Sequence, residues 1–120
     1  MNSQSSINFS RIDTAVHGPL RLGVLAALQA EGELDFTTLK HRLGVADGAI
    51  GNHLQKLETI GYISCSKEFI GRRPRSTYAL TSSGRKALFD YLGVMQQLID
   101  SLVPDNTKTQ SKREKDRHGD

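Results

Sequence analysis

The sequence predicts a mainly α-helical domain carrying one small β-hairpin, an α+β fold that closes with a long helix. Three observations carry that reading. Apolar residues recur at helical spacing in three short stretches between Leu20 and Ile60. From Tyr62 to Leu80 the pattern changes to extended chain, with a glycine, a proline and three arginines gathered at its middle. From Leu88 to Leu102 apolar residues return in a heptad-like rhythm that stops before Pro104.

Residues 1–10 are polar and serine-rich, the composition of a disordered or loosely packed arm. Ile12 and Val16 are four apart, enough for one helical turn against a core. Gly18-Pro19 marks the start of the first main helix, since proline is tolerated in a first turn. Its stripe is Val24, Leu25, Ala27 and Leu28, and Glu31-Gly32 closes it. Leu34, Asp35 and Phe36 are too few for an independent strand but suit the edge of a small sheet. Thr37-Thr38 supply a cap for a second helix, in which Leu39 and Leu43 stack before Gly44 ends it.

Only Val45-Ala46 separate that helix from a third, where Ile50, Leu54 and Leu57 share one face. Gly48, Asn52, Gln55, Lys56 and Thr59 occupy the other, and Gly61 terminates the helix. A helix with small and amide side chains outside suits the reading of base edges, and equally an ordinary amphipathic surface helix. Two short helices joined by a tight glycine-containing turn make a helix-turn-helix.

In the extended stretch Ile63, Cys65 and Phe69 alternate with Ser64, Ser66 and Glu68, and Ser76 to Leu80 returns as a second strand. Between them Ile70-Gly71-Arg72-Arg73-Pro74-Arg75 forms an arm whose arginines suit phosphates or a minor groove. Thr81 caps the last helix, about residues 82–103. A helix of ~20 residues is ~30 Å long, more than a domain this small covers alone. Its stripe Leu88, Tyr91, Leu92, Met95, Leu98, Ile99 and Leu102 is therefore expected to be a homodimer interface. The other reading is that the helix folds back over its own core. Residues 104–120 hold no large apolar side chain, the composition of a disordered, charged tail.

Composition narrows the partners. The formal net charge is only +3, but residues 36–78 hold seven basic and three acidic side chains, whereas residues 1–35 hold two and four. A basic middle behind an acidic front points to a polyanion. No apolar run approaches the ~18 residues of a membrane span, and the first ten residues lack the order of a signal peptide, so a cytoplasmic protein is expected. One cysteine, Cys65, excludes an internal disulfide; its place on a strand suits a half-buried residue, with a redox role the alternative. His17, His41, His53 and His118 show no paired ligand spacing, so neither metal nor cofactor is expected. Acidic residues stand singly and the glycines form no phosphate loop, so the chain is not expected to be an enzyme.

Helix, short strand, helix, helix, hairpin and long helix is the order of a winged helix-turn-helix. Residues 13 to about 100 also resemble the small single-domain winged-helix regulators of bacteria and archaea related to the MarR and ArsR groups. The segments that carry the resemblance are DFTTLKHRLGVADG, HLQKLE followed by IGYI, KEFIGRRPRSTY, and the Leu80-Thr81 and Gly84 that open the last helix. It implies one domain over residues 11–103 that binds double-stranded DNA as a homodimer, with Asp47 to Ile60 entering a major groove. Gly48, Ala49, Asn52, His53, Gln55 and Lys56 would form the reading surface. Arg72, Arg73 and Arg75 would be the wing, and Thr37, Thr38 and Lys40 would touch the DNA backbone.

The chain departs from that pattern where it matters most. Ala46 stands where the family usually has Thr or Ser, and Ala49, Gly51 and Asn52 where polar or basic residues are usual. A missing N-cap costs about 1 kcal/mol, and each helical glycine up to about 1 kcal/mol. Asp47 is expected to cap one position later, the first turns to fray in the free protein, and Asn52 to be the main base reader. Repression by promoter occupancy is the expected mode, with a protein-interaction module as the alternative.

Overall fold

The computed structural model describes residues 11–103; the arm expected at 1–10 and the tail expected at 104–120 lie outside them. The elements are α1 (Pro19–Glu31), β1 (Leu34–Asp35), α2 (Phe36–Leu43), α3 (Asp47–Ile60), β2 (Ile63–Ile70), β3 (Arg73–Leu80) and α4 (Ser82–Leu102). This is the expected order, a winged helix of four helices and a three-stranded antiparallel sheet. The sheet runs β1-β3-β2, so the two-residue edge strand pairs with the returning strand, Leu34 opposite Tyr78.

Each helix contributes the stripe its spacing implies. Val24, Leu25 and Leu28 of α1, Leu39 of α2 and Ile50, Leu54 and Leu57 of α3 are all buried together. Ile63 and Tyr78 close the core from the sheet, and Leu88 and Tyr91 close it from α4. Complete burial of one such aliphatic side chain contributes roughly 1.5–3 kcal/mol.

Leu88 and Tyr91 are a correction to the expected dimer stripe, because they are 2% and 5% exposed within their own chain. Both remain on the side of α4 that lies over α1 and the sheet, and Tyr91 also meets His17, whose Nδ1 is 2.9 Å from the phenol oxygen. The first half of α4 thus folds back over its own core, while Phe89, Leu92, Ile99 and Leu102 stay exposed. Met95 and Leu98 are half-buried.

Two caps differ from expectation. The cap of α2 is Asp35, whose carboxylate accepts from the Thr38 N–H at 2.8 Å, so Thr37 and Thr38 lie inside the helix. An aspartate three residues ahead of the bonded amide is the usual N-cap spacing, and the Thr38 side chain first, with this backbone bond second, holds its carboxyl below the ordinary range. Asp47 does not cap α3; the N-cap is Ala46, with no side-chain bond. Thr81 caps α4 as expected, accepting from Gly84 N–H at 3.0 Å.

That last cap also ties α4 to the end of α3. The Thr81 hydroxyl donates to Gly61 C=O at 2.6 Å, and Thr81 N–H donates to Tyr62 C=O at 3.1 Å. Gly84 lets the helix approach this close: a Cβ there would lie 2.0 Å from the Tyr62 carbonyl oxygen. The Leu-Thr and glycine signature at the start of α4 therefore has a steric cause. Gly84→Ala gains up to about 1 kcal/mol of helix propensity but must push two backbones apart, so a net loss of about 2 kcal/mol is expected. Thermal unfolding would show this as a fall of roughly 8 °C or more in the midpoint; an unchanged midpoint would contradict the close packing.

The segment before α1 is pinned at the same junction. Tyr62 donates from its hydroxyl to Asp13 at 2.6 Å, while the other carboxylate oxygen of Asp13 accepts from Ala15 N–H. The Asp13 bond is the first cause, and burial the second, that push the Tyr62 phenol up to about 12 from 10.0. The folded state holds this proton more tightly, so its stabilisation is complete below about pH 10 and is lost as pH rises through about 12. Tyr62→Phe should flatten stability against pH in that window, as read from urea midpoints at stepped alkaline pH.

Candidate nucleic-acid interface

The expected reading helix is held by its inner face and open on its outer one. Gly44, with φ of 64°, ends α2 by donating to Lys40 C=O, and Val45-Ala46 complete the turn into α3. A left-handed residue at this point is natural for glycine. Across the turn Lys40 Nζ lies 2.9 Å from the Asp47 carboxylate, which leaves a negative charge at the N-terminus of α3 in place of a cap. The helix is formed from Asp47 onward.

Gly48, Ala49, Asn52, Gln55 and Lys56 are exposed along that outer face, and His53 is half-buried at its margin. A Cβ on Gly48 or Gly51 would meet nothing within 4 Å, so neither glycine is needed by the packing of this chain. Their effect is to leave the helix backbone accessible, the property glycine contributes where another molecule must come close.

The arginine arm is tighter than the sequence suggests. β2 and β3 pair in register from Ile63 opposite Leu80 to Ile70 opposite Arg73, so the turn is only Gly71-Arg72. Arg72 alone sits in it, and Arg73, Pro74 and Arg75 belong to β3. Arg75 stands opposite Glu68 and has its Nε 3.6 Å from the Asp35 carboxylate. Arg72 and Arg73 make no ion pair among the described residues and are exposed.

Phe69 corrects the alternation. It falls on the same face as Ile63 and Cys65, but the hairpin extends past the core, leaving Phe69 72% exposed opposite Pro74. Cys65 is half-buried and packed against the core, opposite Tyr78. Burial first, and the neighbouring thiol second, push the Tyr78 phenol up to about 12.

Thr37 is exposed beside the sheet edge, Thr38 is half-buried, and Lys40 is engaged with Asp47. One basic residue near α3 is missing from the expected set. Arg21 of α1 lines a depression of about 440 Å³ together with Asn52, His53, Gln55 and Lys56. A single arginine inside an apolar helical stretch was its only trace in the sequence. Among the described residues no group of three or more His, Cys, Asp or Glu side chains is placed to hold a metal ion.

Residues 20–99 match the winged helix DNA-binding domain family, from the start of α1 almost to the end of α4. The chain belongs to that family. An uncharacterised protein of Methanocaldococcus jannaschii is 33% identical to this winged-helix chain over 83 residues, 69% of the chain and 90% of the relative. A transcriptional regulator homologue from Pyrococcus horikoshii superposes with a TM-score of 0.68 at 26% identity, over 74% of this chain and 88% of that one. YusO of Bacillus subtilis reaches 0.72 at 18% identity, over 92% and 80%, and MarR 0.70 at 20%, over 97% and 85%. At those identities the last two show the fold, which is that of the MarR-like regulators. The matched family is one of DNA-binding domains and not of enzymes. No helix among the described residues of the chain is long and apolar enough to cross a membrane.

Proposed function

We propose that this winged-helix protein is a cytoplasmic, homodimeric transcriptional repressor that binds near-palindromic duplex DNA. The observation that carries this reading is the open polar face of α3 beside a basic two-stranded arm. The two α3 helices of a dimer enter successive major grooves, with half-site centres ~34 Å apart. Asn52 is the main base reader, suited to the N6 and N7 edge of adenine, with Gln55 and Lys56 behind it. Gly48 and Ala49 let the helix sit deep, and His53 borders the groove wall.

Arg72 and Arg73 reach phosphates or the adjacent minor groove, while Arg75 is restrained by Asp35. Thr37 and Thr38 contact the backbone, and Lys40 joins them by exchanging Asp47 for a phosphate. Repression follows from occupancy, because a dimer seated on a promoter excludes other proteins from it. A small effector, if one acts, works by changing the spacing of the reading helices through α4.

The test is an anisotropy titration against genomic duplex fragments at two salt concentrations. Binding should weaken steeply with salt, since each neutralised phosphate contributes a slope of about 0.9 in log K against log salt. A flat response at low salt would abandon the DNA reading in favour of a protein-interaction module.

A further inference from the structure

Beside the reading face lies Arg21, a residue that the proposed base and backbone contacts do not use. Arg21, in the first turn of α1, folds back towards Gly18, where a Cβ would meet its Nη2 at 3.6 Å and its Nε at 3.7 Å. Its Nε is shielded from solvent and has no hydrogen-bond partner. The residue makes no ion pair among the described residues. The guanidinium is therefore held in place without a partner among the described residues, and its charge is left for something outside the chain.

The surroundings say what that something is. The depression that Arg21 lines has Lys56 and His53 around it, with Asn52 and Gln55 as neutral donors, and no acidic side chain lines it. Its volume of about 440 Å³ is ample for a phosphate with its bridging waters. Arginine presents a planar fork that matches a phosphate or carboxylate, and lysine adds a point charge without geometric demand.

We propose that the depression between Arg21 and α3 is an anion pocket that takes a phosphate-type group on the guanidinium of Arg21, with Lys56 supplying the second charge. Two sources offer that chemistry: a backbone phosphate of the bound duplex, or a small free anion. Only assignment to the duplex rests on the function proposed above. The pocket itself stands on the arrangement within the chain.

The experiment has two arms on the full chain. In the first, pyrophosphate is titrated while side-chain NMR signals of Asn52, His53 and Gln55 are followed in wild type, R21A, R21K and K56A. Saturable shifts are expected in wild type, lost in R21A, weakened in K56A and partly kept in R21K. Their absence in wild type, or their persistence unchanged in R21A, overturns the pocket whatever the second arm gives.

In the second arm duplex affinity is measured against salt. If the anion is a backbone phosphate, R21A weakens binding about tenfold and lowers the salt slope by about 1. If pyrophosphate shifts depend on Arg21 while duplex affinity does not, the pocket stands and its anion is a free one. If wild type binds pyrophosphate but no duplex at all, the proposed function fails and the pocket remains. Circular dichroism on each variant separates loss of fold from loss of ligand.

Discussion

Replacing Arg72 and Arg73 together by alanine should weaken duplex binding about a hundredfold and lower the salt slope by nearly two, with little change between sequences. The two residues are exposed at the hairpin end without carboxylate partners, so their charge is available to phosphates. A hydrogen bond to a charged group contributes roughly 1.5–3 kcal/mol, which makes about tenfold per arginine a low-end figure. Arg75→Ala should cost less, because this side chain already lies beside Asp35 and must give up that partner to reach DNA. The exposed ion pair is itself worth little, about 1 kcal/mol at most. Neither substitution touches a core residue, so thermal stability should hold. Equal losses from Arg72→Ala and Arg75→Ala, or an unchanged salt slope, would contradict this division of the wing.

The sequence reveals the fold because each element there is marked by a local signal. Pro19, Gly44, Gly61 and Thr81 punctuate helices for reasons internal to a few residues, and the stripes of α1 and α3 are read directly from spacing. What escapes depends on where elements stop relative to one another. Phe69 alternates with the buried face yet is exposed, because strand periodicity says nothing about how far a hairpin outruns its core. Leu88 and Tyr91 share the stripe of Ile99 and Leu102 but are covered by their own domain. Helical spacing reports which side is apolar, not which part is already packed.

The interface residues show the same limit. Arg75 and Lys40 count as basic in any sequence reading, and only the fold brings Asp35 and Asp47 to them. Asp35 does two tasks at once, capping α2 and holding the base of the wing, although it lies 40 positions from Arg75 in the chain. Arg21 is invisible as a site residue because its neighbours Asn52 and Lys56 come from another helix.

The second large effect is expected at α4. Ile99→Asp with Leu102→Asp should convert a dimer of about twice 13.2 kDa into a monomer, as read by sedimentation at micromolar concentration. These two side chains are 46% and 70% exposed, and with Phe89 and Leu92 they leave an apolar strip along most of a helix that outruns its own core. Introducing two carboxylates there costs the isolated domain little, whereas burying them against a second copy is prohibitive unless they stay protonated. The same change at Leu88 or Tyr91 would unfold the domain and report nothing about association. Loss of the dimer should also reach the reading helix. Thr81 and Gly84 hold the start of α4 against Gly61 and Tyr62, so the helix proposed to pair the copies is bonded directly to the end of the helix proposed to read DNA. Two α3 helices fixed by that junction would engage a two-half-site duplex with the second contact made effectively intramolecular, a gain of about 10²–10⁴ that the monomer forfeits. Binding to a single half-site should then be nearly the same for wild type and variant, while binding to the full site falls by about that factor. A monomeric wild type, or a double variant that keeps both its mass and its full-site affinity, would remove α4 as the interface and with it the mechanism for setting half-site spacing.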